Sequence, residues 1–377
     1  MTLTVTATFM LADWIAKGLA DGTFERAGGV IREVGTGRIV TFLREFGSTT
    51  AQLPQQLQMA QGLLMVGSAA SLLNLGVSVI GFAVINQRLN ELEKRLKNAE
   101  ELLNKIDRKI DLGYYANFRA ALDLAVSAFT MSKVENRERA AFAAIDRLLA
   151  AQHHYTGYTD NELEQGSQIA DEYLLTLSLA YIAEARCHLE LGEPETALSR
   201  FQEGAKVVRS RILKYIKLLL TSNPAAYLQP QFKGKIDLRR LTRIYQWIDP
   251  GLDENAVFEL QRHNLLKMAK EPDKWAESLP AAILTRVEVA GSWFGPSNED
   301  LKREADKRLP EVLEVIESMV ETNRRFEAYQ TEIQAIAQLG ISFHDWLKLA
   351  PYTESKPDGA ELMYIIPSKP LELKLSV

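Results

Sequence analysis

The sequence predicts a mainly α-helical protein with a small β-hairpin element contributed by its termini. Three observations predict it. An uncharged apolar run, Gly62 to Ile85, continues without a proline into leucine heptads. Residues 114–350 carry helical spacing almost throughout. Strand patterns are read near the two ends: a glycine-turned, β-branched hairpin from Gly28 to Leu43, and an apolar then alternating segment from Met363 to Leu375. The composition is that of a globular chain: 377 residues, 46% hydrophobic and 25% charged, which excludes wholesale disorder and a collagen-like repeat. Mean hydropathy of -0.13 leaves room for one membrane span but not for six. The length predicts two or three domains. The divisions read from the pattern are a small α/β module over 1–48, an apolar helix with a coiled coil over 49–113, a helical domain over 114–350 and an extended tail over 351–377.

The N-terminal module begins with helical spacing from Met10 to Ala20, with Leu11, Trp14, Ile15 and Leu19 on one side. Gly28-Gly29 then leads into Val30 to Val34, and Gly35-Thr36-Gly37 into Arg38 to Leu43. Glycine turns between β-branched arms predict a hairpin. At the other end Met363 to Ile366 is apolar, and Leu371, Leu373 and Leu375 alternate with polar residues. A two-stranded hairpin is marginal in isolation. The C-terminal segment is therefore expected to pair with the N-terminal hairpin. The first residues lack a basic stretch followed by an apolar one, so no secretory signal is expected there.

From about Gln55 to Leu112 nothing breaks a helix, which would reach about 85 Å at 1.5 Å per residue. Its first half, Gly62–Ile85, is 24 residues with no charge, long enough to span a bilayer. A core helix of a large soluble bundle is the alternative. Gly67, Ser71, Asn74, Ser78 and Gly81 recur at steps of four and three and so share one face. Small residues let helices approach closely in lipid, and a mid-span Asn should face protein or water. That stripe is either a packing seam between copies or the lining of a pore. In the second half, Leu89, Leu92, Leu96, Ala99, Leu103, Ile106 and Ile110 form about three heptads, a coiled-coil signal or the face of a helix packed on its own chain. Arg88, Lys94, Arg95 and Lys97 follow the apolar run, which predicts an inner-membrane protein with its C-terminal bulk in the cytoplasm.

Within 114–350, helices are expected over Tyr115–Met131, Arg137–His153, Leu238–Trp247, Glu254–Ala269 and Ala281–Ala290, and over Asn298 to about Leu339 with a break or kink at Pro310. Leu177 to Val208 has the spacing of one tetratricopeptide-type hairpin. Ala183 and Ala185 lie on its first helix, Leu191-Gly192 at the turn, and Ala197 and Phe201 on its second.

The strongest charge signal is local. Lys206, Arg209, Arg211, Lys214, Lys217, Lys233, Lys235, Arg239, Arg240 and Arg243 fall within 38 residues whose only acid is Asp237. The segment is +9, leaving -14 on the rest of a chain of net charge -5. Tyr215, Tyr227, Phe232, Tyr245 and Trp247 lie among or beside the cations. Cations neutralise phosphates and flat rings stack on bases, so the expected ligand is anionic: a nucleotide or single-stranded DNA, with Tyr215 and Trp247 as ring contacts. Two other readings compete. The cations pair internally with acidic segments such as Asn298–Glu317, or they contact anionic lipid headgroups.

No catalytic pattern is present. The five histidines form no His-Glu-x-x-His, and there is no Walker loop, GxGxxG or GxSxG. Cys187 is the only cysteine and reads as a structural core residue. No enzyme activity, metal or cofactor is expected.

The uncharged helix Gly62–Ile85, the heptads Leu89–Ile110 and the basic run Lys206–Arg243 together resemble the membrane effectors of bacterial anti-phage systems, and in particular the channel subunit of Hailong-type defence. The resemblance is one of architecture over residues 55–350. It implies a small ion-channel domain joined to a helical domain that binds a single-stranded DNA signal and holds the channel shut. The expected function is thus a homo-oligomeric membrane effector gated by an anionic ligand. The alternative is a soluble adaptor that binds proteins through its tetratricopeptide-like hairpin.

Overall fold

The computed structural model describes residues 13–45, 113–167, 169–280, 282–284, 297–348 and 362–365, together with Asn90, Glu93 and Lys97. The apolar run with its stripe Gly67, Ser71, Asn74, Ser78 and Gly81, and most of the heptads, lie outside these residues. No described helix is long and apolar enough to cross a membrane. Asn90, Glu93 and Lys97 have helical backbone. Glu93 accepts from Lys97 Nζ at 2.6 Å and from Arg119 Nη1 at 2.6 Å, which ties this stretch to the first helix of the helical region.

The fold is mainly α-helical with a small antiparallel sheet. Helix α1 (Asp13–Asp21) precedes strands β1 (Phe24–Ala27), β2 (Val30–Glu33) and β3 (Ile39–Glu45), and β4 (Leu362–Ile365) comes from the other end of the chain. The sheet order is β1-β2-β3-β4. β3 and β4 are antiparallel, with Phe42 opposite Ile365 and Glu45 opposite Leu362, so the C-terminal segment does extend the N-terminal hairpin. The sequence reading overlooked β1, whose four residues place two charges, Glu25 and Arg26, between Phe24 and Ala27 and so show no alternation. Gly28-Gly29 turns it onto β2, with Ala27 opposite Val30. Gly28 has φ +57°, and a Cβ there would sit 2.4 Å from the carbonyl oxygen of Arg324, so backbone conformation and close approach both demand glycine. One side of the sheet packs Ile31 on Ile15 of α1. Val30, Ile39 and Phe42 belong instead to the core that the helices share.

Helices α2 (Gly113–Thr130), α3 (Val134–Glu164), α4 (Ala170–Glu190) and α5 (Pro194–Leu219) pack in chain order, each on the next, and α5 then packs on the long α9 (Asn298–Leu339). Two short 3₁₀ segments, Pro224–Leu228 and Pro230–Phe232, lead into α6 (Leu238–Ile248), α7 (Glu254–Lys270) and α8 (Lys274–Glu277). Helix α10 (Phe343–Lys348) closes against α4.

The tetratricopeptide-like pair is α4 and α5. Gly192 (φ +77°) makes the turn and Pro194 starts the second helix, as its fixed φ favours. Gly204 admits the Tyr181 ring, which a Cβ would meet at 2.4 Å. Phe201 stacks on Phe326 of α9 at 4.3 Å. Helix α4 is buried on every side from Ala170 to Leu189, as expected of a helix apolar around most of its circumference. Helix α9 starts in a capping box between Ser297 and Asp300 and ends at Gly340 in the left-handed region.

Two sequence expectations need correction. Helix α9 runs through Pro310 as one element, which overturns the break but not the kink of the sequence expectation, and Leu309, Val312, Leu313 and Ile316 are fully buried around the proline. Ala281–Ala290 does not begin as a helix. Ala282 N–H donates to the carbonyl of Gly166 at 2.8 Å, and Ile283 and Leu284 both turn back onto Pro280. Residues 285–290 lie outside the described set.

Candidate anion-binding surface

The basic segment spans the second half of α5, the 3₁₀ segments and α6, and the fold divides its cations into two groups. The first group is committed to internal partners. Arg209 Nη1 donates to Asn323 Oδ1 at 2.9 Å and to Glu327 Oε1 at 3.3 Å, while its guanidinium lies 4.8 Å from the centre of the Trp247 ring. Arg211 Nη2 donates to Asp160 Oδ2 at 2.5 Å, and Lys214 stands 3.9 Å from the same carboxylate. Arg240 grips Glu317 with two parallel bonds of 2.8 Å, and its Nη1 donates to the Lys235 carbonyl at 2.6 Å. The Glu317 hydrogen bonds raise the Arg240 pKa further, so its charge is permanent. The internal-pairing alternative thus describes Arg209, Arg211 and Arg240.

The second group is exposed. Lys206, Lys217, Lys233, Lys235, Arg239 and Arg243 form no ion pair among the described residues. Arg239 and Arg243 are one turn apart on the solvent face of α6, whose other face buries Leu241, Ile244 and Trp247. Asp237 caps the helix by accepting from Arg240 N–H at 2.9 Å. Two like charges at i and i+4 repel by a few tenths of a kcal/mol. Among the described residues no ion pair holds either guanidinium.

The aromatic residues fall elsewhere. Tyr215, Tyr227, Phe232 and Trp247 are all buried, and Trp247 Nε1 donates to Asn323 Oδ1 at 3.2 Å. Tyr215 and Trp247 therefore offer no ring to a ligand at the surface, contrary to the sequence expectation. Their apolar area is worth more in the core than in water.

A groove of about 940 Å³ runs between the 3₁₀ segments and the N-terminal half of α9. Lys235 and Arg240 line one wall and Lys302, Arg303 and Lys307 the other, with Phe232 and Pro310 between them. Glu299, Asp306, Glu311 and Glu314 also line it, so the groove carries both signs. Burial pushes the Glu311 and Glu314 carboxyls above their ordinary range, and Arg308 and Arg240 respectively oppose that only in part. Of the unpaired cations only Lys235 reaches the groove; Lys206, Lys217, Lys233, Arg239 and Arg243 lie outside its lining.

A second polar cluster, buried on α4, escaped the sequence reading. Glu184 accepts from Gln152 Nε2 at 2.7 Å and from Arg200 Nε at 2.7 Å, with His188 3.8 Å away. Burial alone would raise the Glu184 carboxyl, but the nearby His188 and the hydrogen bonds from Arg200 and Gln152 outweigh it and hold the pKa low. The one sequence signal was an acid between two alanines on a helix with no polar face. The cluster joins α3, α4 and α5 and does not line the groove beside α9. Cys187 is fully buried and burial raises its thiol, so it is not poised as a nucleophile. Among the described residues no group of three or more His, Cys, Asp or Glu is placed to hold a metal ion.

No protein-family model, no curated protein and no solved structure matches the chain.

Proposed function

We propose that this protein is a non-enzymatic, self-associating membrane effector whose helical domain senses a polyanion and gates a pore. In this reading Gly62–Ile85 sits in the inner membrane, the small-residue stripe Gly67 to Gly81 forms the seam or lining, and the heptads set the stoichiometry. The C-terminal domain faces the cytoplasm, and the setting is bacterial anti-phage defence, as the architectural resemblance implies. The observation that carries the sensing half is the exposed pair Arg239 and Arg243, flanked in sequence by Lys233 and Lys235, none of which forms an ion pair among the described residues. The membrane half rests on the 24 uncharged residues.

The buried rings narrow the ligand. With Tyr215 and Trp247 in the core, recognition falls to phosphate contacts, which are blind to base identity. Short single-stranded DNA should therefore bind regardless of sequence and weaken steeply with salt. Four phosphate contacts give a slope of about -2.8 in log affinity against log salt for a single strand. Changing Arg239 and Arg243 to Glu should flatten the slope by about 1.4 or more and abolish binding at physiological salt. Affinity unchanged by the double substitution would remove this surface as the sensor. The adaptor alternative draws no support from the hairpin, since α4 is buried along its length and α5 is packed on α9.

A further inference from the structure

Helix α7 (Glu254–Lys270) lies at the edge of the helical region, against the 3₁₀ segment Pro224–Leu228 and α6. Of its 17 residues only Val257 and Gln261 are buried. Phe258 is 50% exposed, Leu265 40% and Leu266 56%, while the exposed Leu260, two residues from Phe258, lies on the other side of the helix. Phe258 and Leu265 are seven residues apart and so share one face, with Ala269 continuing the stripe. A clustered apolar stripe on a solvent-facing helix marks a contact surface more than scattered single residues do.

Charge decides the occupant. The first half of α7 and its N-cap carry Asp253, Glu254 and Glu259 and no cation, and the second half carries Arg262, Lys267 and Lys270, with Glu271 at its C-cap held by Lys274 at 2.7 Å. The helix dipole favours that order by itself, but it gives no reason for Phe258 and Leu265 to face solvent. An antiparallel second copy of α7 meets acid with base at both ends and opposes the two dipoles, with Arg262 at the centre compensated by Glu259 of its own helix at 2.6 Å, whereas a parallel copy sets like against like along the whole length. An anionic lipid surface would be repelled by the acidic half. We infer that α7 pairs with α7 of a second copy of this chain, antiparallel about a two-fold near residues 261 and 262, with Phe258 packed on the partner's Leu265. A helix of this length spans about 25 Å, and its stripe is smaller than the roughly 800 Å² per partner of a stable interface. The contact is therefore weak alone and strengthens an assembly already held elsewhere by raising effective concentration. It rests on the self-association in the proposed function but uses no residue of the cation surface and no heptad position, so a Phe258→Glu chain that keeps its assembly size while losing the contact separates its failure from that of the proposed function.

Disulfide trapping in the full-length chain tests it, since trapping captures weak contacts and the native Cys187 is fully buried. In the antiparallel register Asn255 of one chain lies beside residues 268 and 269 of the other. Mixing an Asn255→Cys chain with an Ala269→Cys chain under mild oxidation should give the mixed disulfide. Neither chain alone should give it, nor should Lys267→Cys, which sits on the opposite side of the helix. Adding Phe258→Glu to both chains should lower the mixed yield about tenfold, the effect of losing one well-buried side chain. Disulfides between like positions would overturn the antiparallel pairing. No mixed disulfide, or one indifferent to Phe258→Glu, would overturn the contact itself.

Discussion

Glu184 shows how one side chain can hold three helices in register. It is 1% exposed, yet it stays charged because Gln152 of α3 and Arg200 of α5 both donate to it. A buried carboxylate without such donors would take up a proton instead. Its lowered pKa makes it a source of acid sensitivity. A carboxyl with a folded pKa below the unfolded value near 4.5 contributes stability that is present above that value and lost as pH falls through the folded one. Glu184→Gln should therefore cost about 1.5–3 kcal/mol at neutral pH, the worth of a charged hydrogen bond, and should flatten the decline of melting temperature below pH 4.5. Equal slopes in the acid limb for the two proteins, followed by circular dichroism, would assign the acid sensitivity to other carboxylates. Arg186 makes a similar tie at the far end of α4. It pairs with Glu190 and lies 4.1 Å from the Phe343 ring centre, which fastens α10 to the bundle.

At the scale of elements, α9 persists where local propensity argues for a break. Pro310 removes one backbone donor and crowds the preceding turn, an intrinsic cost of about 3 kcal/mol relative to alanine. The helix continues because fully buried Leu309, Val312, Leu313 and Ile316 anchor both sides of the proline. Pro310→Ala should then raise the melting temperature, with a gain of up to about 3 kcal/mol. A lower melting temperature would mean that the surrounding packing is built on the geometry the proline imposes. Helix α3 makes the same point without a proline. The sequence suggests an end near His153, since Gly157, Thr159 and Asn161 follow and all are poor helix formers. The helix reaches Glu164 because Tyr155, Thr159 and Leu163 are buried, and the Thr159 hydroxyl donates to the Tyr155 carbonyl at 2.6 Å. Tertiary burial overrides propensity in both helices.

For the whole molecule, the proposed function makes a prediction about where the chain resides. If Gly62–Ile85 prefers lipid, the full-length protein should sediment with membranes, resist extraction by high salt or carbonate, and require detergent for solution. Replacing Leu72 and Leu73 with Lys should move it to the high-speed supernatant, because each central lysine costs about 2.5–3.5 kcal/mol in an inserted helix. Full recovery of the unaltered protein in the supernatant without detergent would defeat the membrane half of the proposal and leave the polyanion surface to be judged separately.

The sequence by itself determined the helical class, most helix positions in the described region and the pairing of the two ends into one sheet. These follow from local facts: apolar periodicity, glycine at turns, and the inability of a lone hairpin to bury its surface. It also located the concentration of positive charge, which is a property of composition. Only the tertiary structure decided which of those charges are free. Arg209, Arg211 and Arg240 meet acids 51 to 118 residues away in sequence, and no local pattern reports such distances. The same holds for the aromatic residues. Spacing cannot tell a ring that stacks on a ligand from one that fills a core, because both are apolar surfaces seeking cover, and only packing shows which cover each one found.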